Sequence, residues 1–216
     1  MDTLNNNQVL TTIMDLLNTS LTPVRFVDSQ RMQSPVKHDA NLASCKARLE
    51  ALVADLQSNY AKWQIAQQRG TALCYAIEAR KTRCYDNANA EAGYYPEDLV
   101  KPCDKLAIIT SIFVDIFTNT REILRQLRAL TLLAGVASNV IFYRTWKLTQ
   151  FVSFTEDLLK RYKQESLVKQ HVMQNIAHST CRGKLISYTT AWEFPEHVDA
   201  YVNLVFLLLA EEVRRK

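Results

Sequence analysis

His178 and Cys181 stand three residues apart, close enough to offer two ligands to one metal ion. A zinc site needs four donors, and no second pair at zinc spacing joins them. His171 lies seven residues before His178, on the same helical face but two turns up. Both histidines read more simply as a helix face and a helix end, the second favoured by the C-terminal dipole. The cysteines Cys45, Cys74, Cys84, Cys103 and Cys181 are odd in number, irregularly spaced and without a CxxC pair. They read as reduced thiols packing as small hydrophobes. The adjacent acids Glu156-Asp157 and Glu211-Glu212 point different ways around a helix, so neither makes an acid–base pair. No phosphate-binding glycine loop, nucleophile-elbow serine or His-Glu-x-x-His zinc helix occurs. These residues imply no catalytic centre, no metal and no cofactor, and the chain is expected not to be an enzyme.

Two sites suit covalent control instead. Ser34-Pro35-Val36-Lys37 has the order preferred by proline-directed cell-cycle kinases, with a basic residue two after the proline. Thr22-Pro23 is a weaker candidate, lacking the basic residue at that place. Nucleic acid finds less support. Lys160, Arg161, Lys163 and Lys169 are mixed with Glu156, Asp157 and Glu165, the pattern of a solvated helix face and not of a phosphate strip. Trp63, Trp146 and Trp192 sit in helical surroundings, as core or junction anchors do, although tryptophan is also enriched at interface hot spots.

The elements that must position these residues are helical. Leu42, Leu49, Leu56, Trp63, Gly70, Ile77 and Cys84 recur every seventh residue, and no proline lies between Asp39 and Tyr95. A seven-residue repeat is two turns of slightly underwound helix and forms a seam for a helical partner. A helix from about Asn41 to Cys84 would be roughly 65 Å long at ~1.5 Å per residue. Its second seam, Cys45, Leu52, Asn59, Ala66, Leu73 and Arg80, is weakened at Asn59 and Arg80, which argues for a mixed bundle and not a dimeric zipper. Gly70 costs about 1 kcal/mol relative to alanine; a close neighbouring helix or a kink would each explain it.

A turn over residues 86–95 leads past Pro96 and Pro102 into a second helix, near Asp104 to Ala134, with Gly135 as its C-cap. Leu106, Ile109, Phe113, Ile116, Thr120, Ile123, Leu127 and Leu130 form its seam, and the short connection makes the two helices an antiparallel hairpin. The first helix outruns the second by roughly 20 Å, and the overhang needs cover from this chain or from a partner. A third helix is expected from about Thr149 to His178, buried through Phe151, Phe154, Leu158, Tyr162, Val168, Val172 and Ile176. A short helix carrying Leu185, Tyr188 and Trp192 follows, then a last one from about Glu196 to Glu212. The expectation is an all-α protein: a mostly flexible tail over 1–38 with one short amphipathic helix (Leu10, Ile13, Met14, Leu17), a coiled-coil-like long antiparallel helical hairpin over 39–135, and a smaller C-terminal helical unit over 136–216.

Composition fits that organisation. Hydrophobic residues make up 48% and charged residues 22%, with only 4 glycines, too few for a hairpin-rich β fold. The net charge of +4 is spread thinly, with no basic block. The longest uncharged apolar run, Ala200 to Ala210, is far short of the ~20 residues that span a bilayer. Without a secretion signal at its start, the chain is expected to be soluble and intracellular.

From Phe142 onward the chain resembles the cyclin-dependent kinase 2-interacting protein family. The residues that carry the likeness are Phe142-Tyr143-Arg144-Thr145-Trp146, Thr149, Phe151, Leu158-Leu159, Tyr162, Glu165, Lys169, Val172 and Ile176-Ala177-His178, then Ser187-Tyr188, Trp192 and Pro195. Lys62-Trp63, Gly70 and Ile77 agree more loosely, and the likeness is patchy between 86 and 140. It implies a small adaptor in DNA replication and checkpoint signalling. The partners it implies are cell-cycle kinases, AAA ATPase subunits of the spermatogenesis-associated 5 class and a second small helical subunit. The linked processes are replisome protein turnover and ribosome maturation, in the nucleus and also the cytoplasm. By resemblance Trp63, Trp146, Tyr162, Lys169, His178, Tyr188 and Trp192 are the family-motif or interface positions. The long 86–102 turn and the uncharged end of the last helix depart from the family pattern.

The resulting expectation is a non-enzymatic adaptor that binds proteins through exposed heptad seam and the Trp146/Trp192 region, with a phosphorylatable tail for control. Three alternatives stay open: a coiled-coil structural subunit of a kinetochore, spindle or tethering complex, a helical nucleic-acid-binding protein and, weakest, an enzyme of unrecognised type, for which the sequence supplies no candidate nucleophile.

Overall fold

A helix shows one stripe to its neighbours, so the seams above dictate which faces meet. In a computed structural model, residues 35–86, 95–134 and 140–214 are described. The chain divides after His38, and residues 39–216 form one unit. The short helix around Leu10–Leu17 and the candidate phosphosites Thr22 and Ser34 lie outside the described residues.

The described part is all-α, with five α-helices and no strand beyond a single bridge between Ile141 and Lys147. Helix α1 spans Pro35–Asp86, α2 Val100–Ala134, α3 Leu148–Asn175, α4 Arg182–Glu193 and α5 Ala200–Val213. Three observed starts differ from expectation; α2 begins at Val100, not near Asp104, with Pro102 accommodated in its first turn. α1 begins at Pro35, not near Asn41, because proline suits a first helical turn, where its missing N–H has no partner to lose. α5 begins at Ala200, not Glu196, because Asp199 is its N-cap: the carboxylate accepts the N–H of Tyr201 at 3.1 Å and of Val202 at 3.3 Å.

The two long helices form an antiparallel hairpin. Arg80 pairs with Asp98 at 3.1 Å, Trp63 meets Phe113 edge-on at 6.0 Å, and Arg48 donates to Gln126, so partners descend along α2 as positions rise along α1. Helix α3 returns antiparallel to α2, with Arg128 on Glu156 at 2.8 Å and the Ser166 hydroxyl on the Phe113 carbonyl at 3.3 Å. All eight α2 seam residues are buried. Along α1, Leu49, Leu52, Leu56, Trp63, Ala66 and Ile77 are buried in the same core, as are Asn59 and Gly70.

Of the two covers open for the overhang, the chain itself supplies one. The seam from Leu49 to Gly70, with Ile77, is buried within the chain itself, and Leu42, Cys45, Leu73, Arg80 and Cys84 are half-buried. Lys46 and Glu50 share a cavity with Phe142, Tyr143, Arg144 and Val213, so the 140–147 loop and the end of α5 lie against this part of α1. The exposed heptad seam expected to receive a partner is consumed by the protein's own helices.

Candidate protein-binding surface

Nine aromatic residues form one connected chain of rings. Tyr143 and Trp146 lean on Phe151, at 5.9 and 5.1 Å, and Trp146 also meets Phe154. Phe154 meets Phe206 of α5, which stacks on Tyr60 of α1 at 4.0 Å. Tyr60 continues to Trp63, Trp63 to Phe113 of α2, and Phe113 to Trp192 of α4 at 5.8 Å. Every helix contributes a ring. Such edge and stacked pairs add about 0.5–1.5 kcal/mol each beyond their buried area.

Trp192 ends that chain as a wedge. It is fully buried, and a Cβ built on Gly70 would overlap its indole. Gly70 is thus explained by close approach, not by a kink. Helix α4 ends here, where its last carbonyls need donors. Lys169 of α3 donates to the Trp192 carbonyl at 2.7 Å, and Gln67 of α1 donates to it as well. The Lys169 ammonium also lies 5.1 Å from the indole and pairs with Glu165 at 3.0 Å, both side chains essentially out of water. The other Glu165 oxygen accepts the His197 N–H at 3.1 Å. Burial pushes the Lys169 ammonium below its usual value, and Glu165 pulls it back. A buried pair of this kind adds little net stability, but removing one partner strands a charge.

Tyr162 is equally interior, its hydroxyl pushed well up by burial. Trp63, Tyr162, Lys169 and Trp192 therefore act on any partner only through the fold. Trp146 is half-buried against α3. The expected Trp146/Trp192 contact region is corrected on this ground, since Trp192 has no surface to offer. His178 and Tyr188 sit apart from this cluster. His178 is exposed, its Nδ1 2.8 Å from the Tyr95 hydroxyl, and Tyr188 leans on His171 at 5.8 Å. Among the described residues no three His, Cys, Asp or Glu side chains gather as a metal site requires, and no helix is long and apolar enough to cross a membrane.

Helix α5 is held at both ends. Near its start Asn203 accepts the Tyr60 hydroxyl at 3.3 Å. Near its end one oxygen of the buried Glu212 accepts three successive backbone N–H groups, from Arg144, Thr145 and Trp146, at 2.9, 2.6 and 2.8 Å. The Thr145 hydroxyl donates to the other oxygen at 2.7 Å. This is a backbone nest filled by the chain's own carboxylate. Burial alone would raise the Glu212 carboxyl, but those four donors hold it below the usual carboxylate range.

What α5 leaves outside is the surface that the sequence pattern did not single out. Tyr201, Leu204, Leu207 and Leu208 are 53%, 53%, 59% and 54% exposed, while Val202, Phe206 and Leu209 are buried on the opposite face. Residues 200 to 210 carry no charge, so the stripe runs uncharged until Glu211, which lies one turn beyond Leu207 and pairs with Arg214 at 3.2 Å. The signal was present in the uncharged run itself: a lone surface helix buries one face, so a run apolar all round must expose the other. Four such side chains leave a patch of a few hundred Å², the size that on single chains marks interaction sites. No protein-family model matches this chain, and no curated protein matches it either.

Proposed function

We propose that this chain is a non-enzymatic adaptor subunit whose α5 face binds a helical protein partner. The observation that carries the reading is the uncharged stripe Tyr201, Leu204, Leu207 and Leu208, presented on a helix pinned by Asp199 and Glu212. A rigidly held apolar helix face is what helix–helix recognition uses: the anchors are in place before binding, so little ordering entropy is lost. The stripe covers about half of the ~800 Å² that one side of a stable interface buries, so the partner must also reach neighbouring surface.

The partner class comes from the family likeness: a small helical subunit and AAA ATPase subunits of the spermatogenesis-associated 5 class, with cell-cycle kinases acting on the tail at Ser34 and Thr22. In this reading the protein serves DNA replication, checkpoint signalling, replisome protein turnover and ribosome maturation, in the nucleus and cytoplasm. Nucleic-acid binding through α3 loses support, because Lys169 is buried and Arg161 is engaged by Asp157 at 2.8 Å and by the His197 carbonyl at 3.1 Å. A coiled-coil structural subunit loses support because the heptad seam is already filled.

Affinity capture with the full chain, followed by mass spectrometry, tests the proposal. Recovery of AAA ATPase and replication proteins, abolished by Leu204→Glu with Leu208→Glu, is expected. Recovery of kinetochore or tethering components without them would sink it.

A further inference from the structure

A second surface lies in the groove between α1 and α2. Its cavity of about 380 Å³ is lined by Arg69, Ala72 and Leu73 from α1 and by Lys105, Ile108 and Ile109 from α2. Ile108 is 64% exposed there, and Ile65, one turn before Arg69 on the same helix, is 50% exposed. The antiparallel register sets Arg69 and Lys105 nearly level across the groove. Neither side chain has an ion pair or hydrogen bond to any described residue. Three other arginines of the hairpin are matched by acids, Arg80 by Asp98, Arg125 by Glu122 and Arg128 by Glu156, while Arg83 donates to the Ala79 carbonyl and Arg121 lies against the Phe117 ring.

We infer that this groove binds an acidic amphipathic helix of a protein partner, with apolar side chains on Ile65, Ala72 and Ile108 and carboxylates on Arg69 and Lys105. Charge decides the occupant. An uncharged face, such as the α5 stripe of a second copy, would cover the apolar floor but leave two level cations unpaired and partly desolvated, which is costly. A helix with leucines on one face and glutamates along both flanks meets floor and rim together. From Ile65 to Ala72 is two helical turns, about 10 Å, so three anchors at i, i+3 and i+7 fill the floor. This surface is separate from α5 and does not depend on the reading given for it.

The test uses the full chain and two fluorescent 18-residue helical peptides. Both carry leucine at i, i+3 and i+7; one has glutamate on its flanks and the other lysine. Anisotropy titration should show the glutamate peptide binding at least about tenfold tighter than the lysine peptide, with the gap closing as salt rises. Arg69→Glu with Lys105→Glu should reverse the preference at unchanged helical circular dichroism, and Leu204→Glu with Leu208→Glu should leave it intact. Equal binding of the two peptides, binding of neither, or a preference that survives the charge reversal would overturn the inference. So would loss of binding in the α5 variant, which would put the peptide on α5, or a dimer in sedimentation that Ile108→Glu dissolves, which would give the groove to a second copy.

Discussion

Helices α1 and α5 are both rich in apolar residues, and they use them in opposite ways. On α1 the apolar residues recur with the helical period and polar residues fill the gaps, so one face is buried and the other wetted. Leu49, Leu56 and Ile77 are completely covered by the chain's own helices. On α5 the apolar residues follow no period over 200–210, and half of the large ones remain in water. Patterned hydrophobicity records internal packing. Unpatterned hydrophobicity on a surface helix leaves apolar side chains that the described residues do not cover.

The first way to break that comparison is to remove the wedge that closes the α1 side. Trp192→Ala should cost about 3–5 kcal/mol in chemical denaturation, the range for deleting a buried aromatic ring. A loss under about 1 kcal/mol would mean that α4 is not locked on α1. Lys169→Met should cost about 3 kcal/mol or more, because it strands the buried Glu165 carboxylate and leaves the Trp192 carbonyl with Gln67 alone. Adding Glu165→Leu should restore part of that loss; no recovery would remove the charge from the explanation.

Gly70→Ala gives the next effect in size. On an exposed helix the change would stabilise by about 1 kcal/mol. Against the Trp192 indole it should destabilise by about 1–3 kcal/mol, as overpacking does, and a gain in stability would show that the contact is loose. Glu212→Gln should cost about 1–3 kcal/mol at neutral pH, since the carboxylate and its charge-assisted bonds are lost. The wild-type carboxyl has a lower pKa folded than unfolded, because, against the effect of burial, the Arg144, Thr145 and Trp146 donors favour its charged form. Its contribution is therefore complete above the unfolded pKa and lost as pH falls through the folded pKa, so the gap between wild type and variant should narrow in acid. A gap independent of pH from 2 to 7 would contradict the nest.

How much of this was legible follows from how local each cause is. The seams of α1 and α2 were legible because burial on one helical face writes a period into the residues themselves. The antiparallel hairpin followed from the short connection. The start of α5 was missed, because Pro195-Glu196 offers an earlier start by local rules and the capping by Asp199 shows only once the backbone is placed. Gly70 was visible as an anomaly, but its cause, Trp192, lies 122 residues away, and no local pattern joins them. The role of Glu212 depends on three N–H groups aligned by a loop some 67 residues earlier. The cover of the overhang was not legible, because helix lengths say how much of α1 is unpaired by α2, not what the returning chain lays over it.

The smallest expected effect on stability is also the sharpest test of function. Leu204→Glu with Leu208→Glu changes two half-exposed side chains and should move stability by no more than about 0.5 kcal/mol each. The same variant, compared with wild type by quantitative affinity capture under identical conditions, bears most directly on the adaptor reading. The expected result is capture of AAA ATPase and replication subunits by the wild-type chain and their loss in the folded variant. Undiminished capture by the variant, or none of those proteins with either chain, would contradict it.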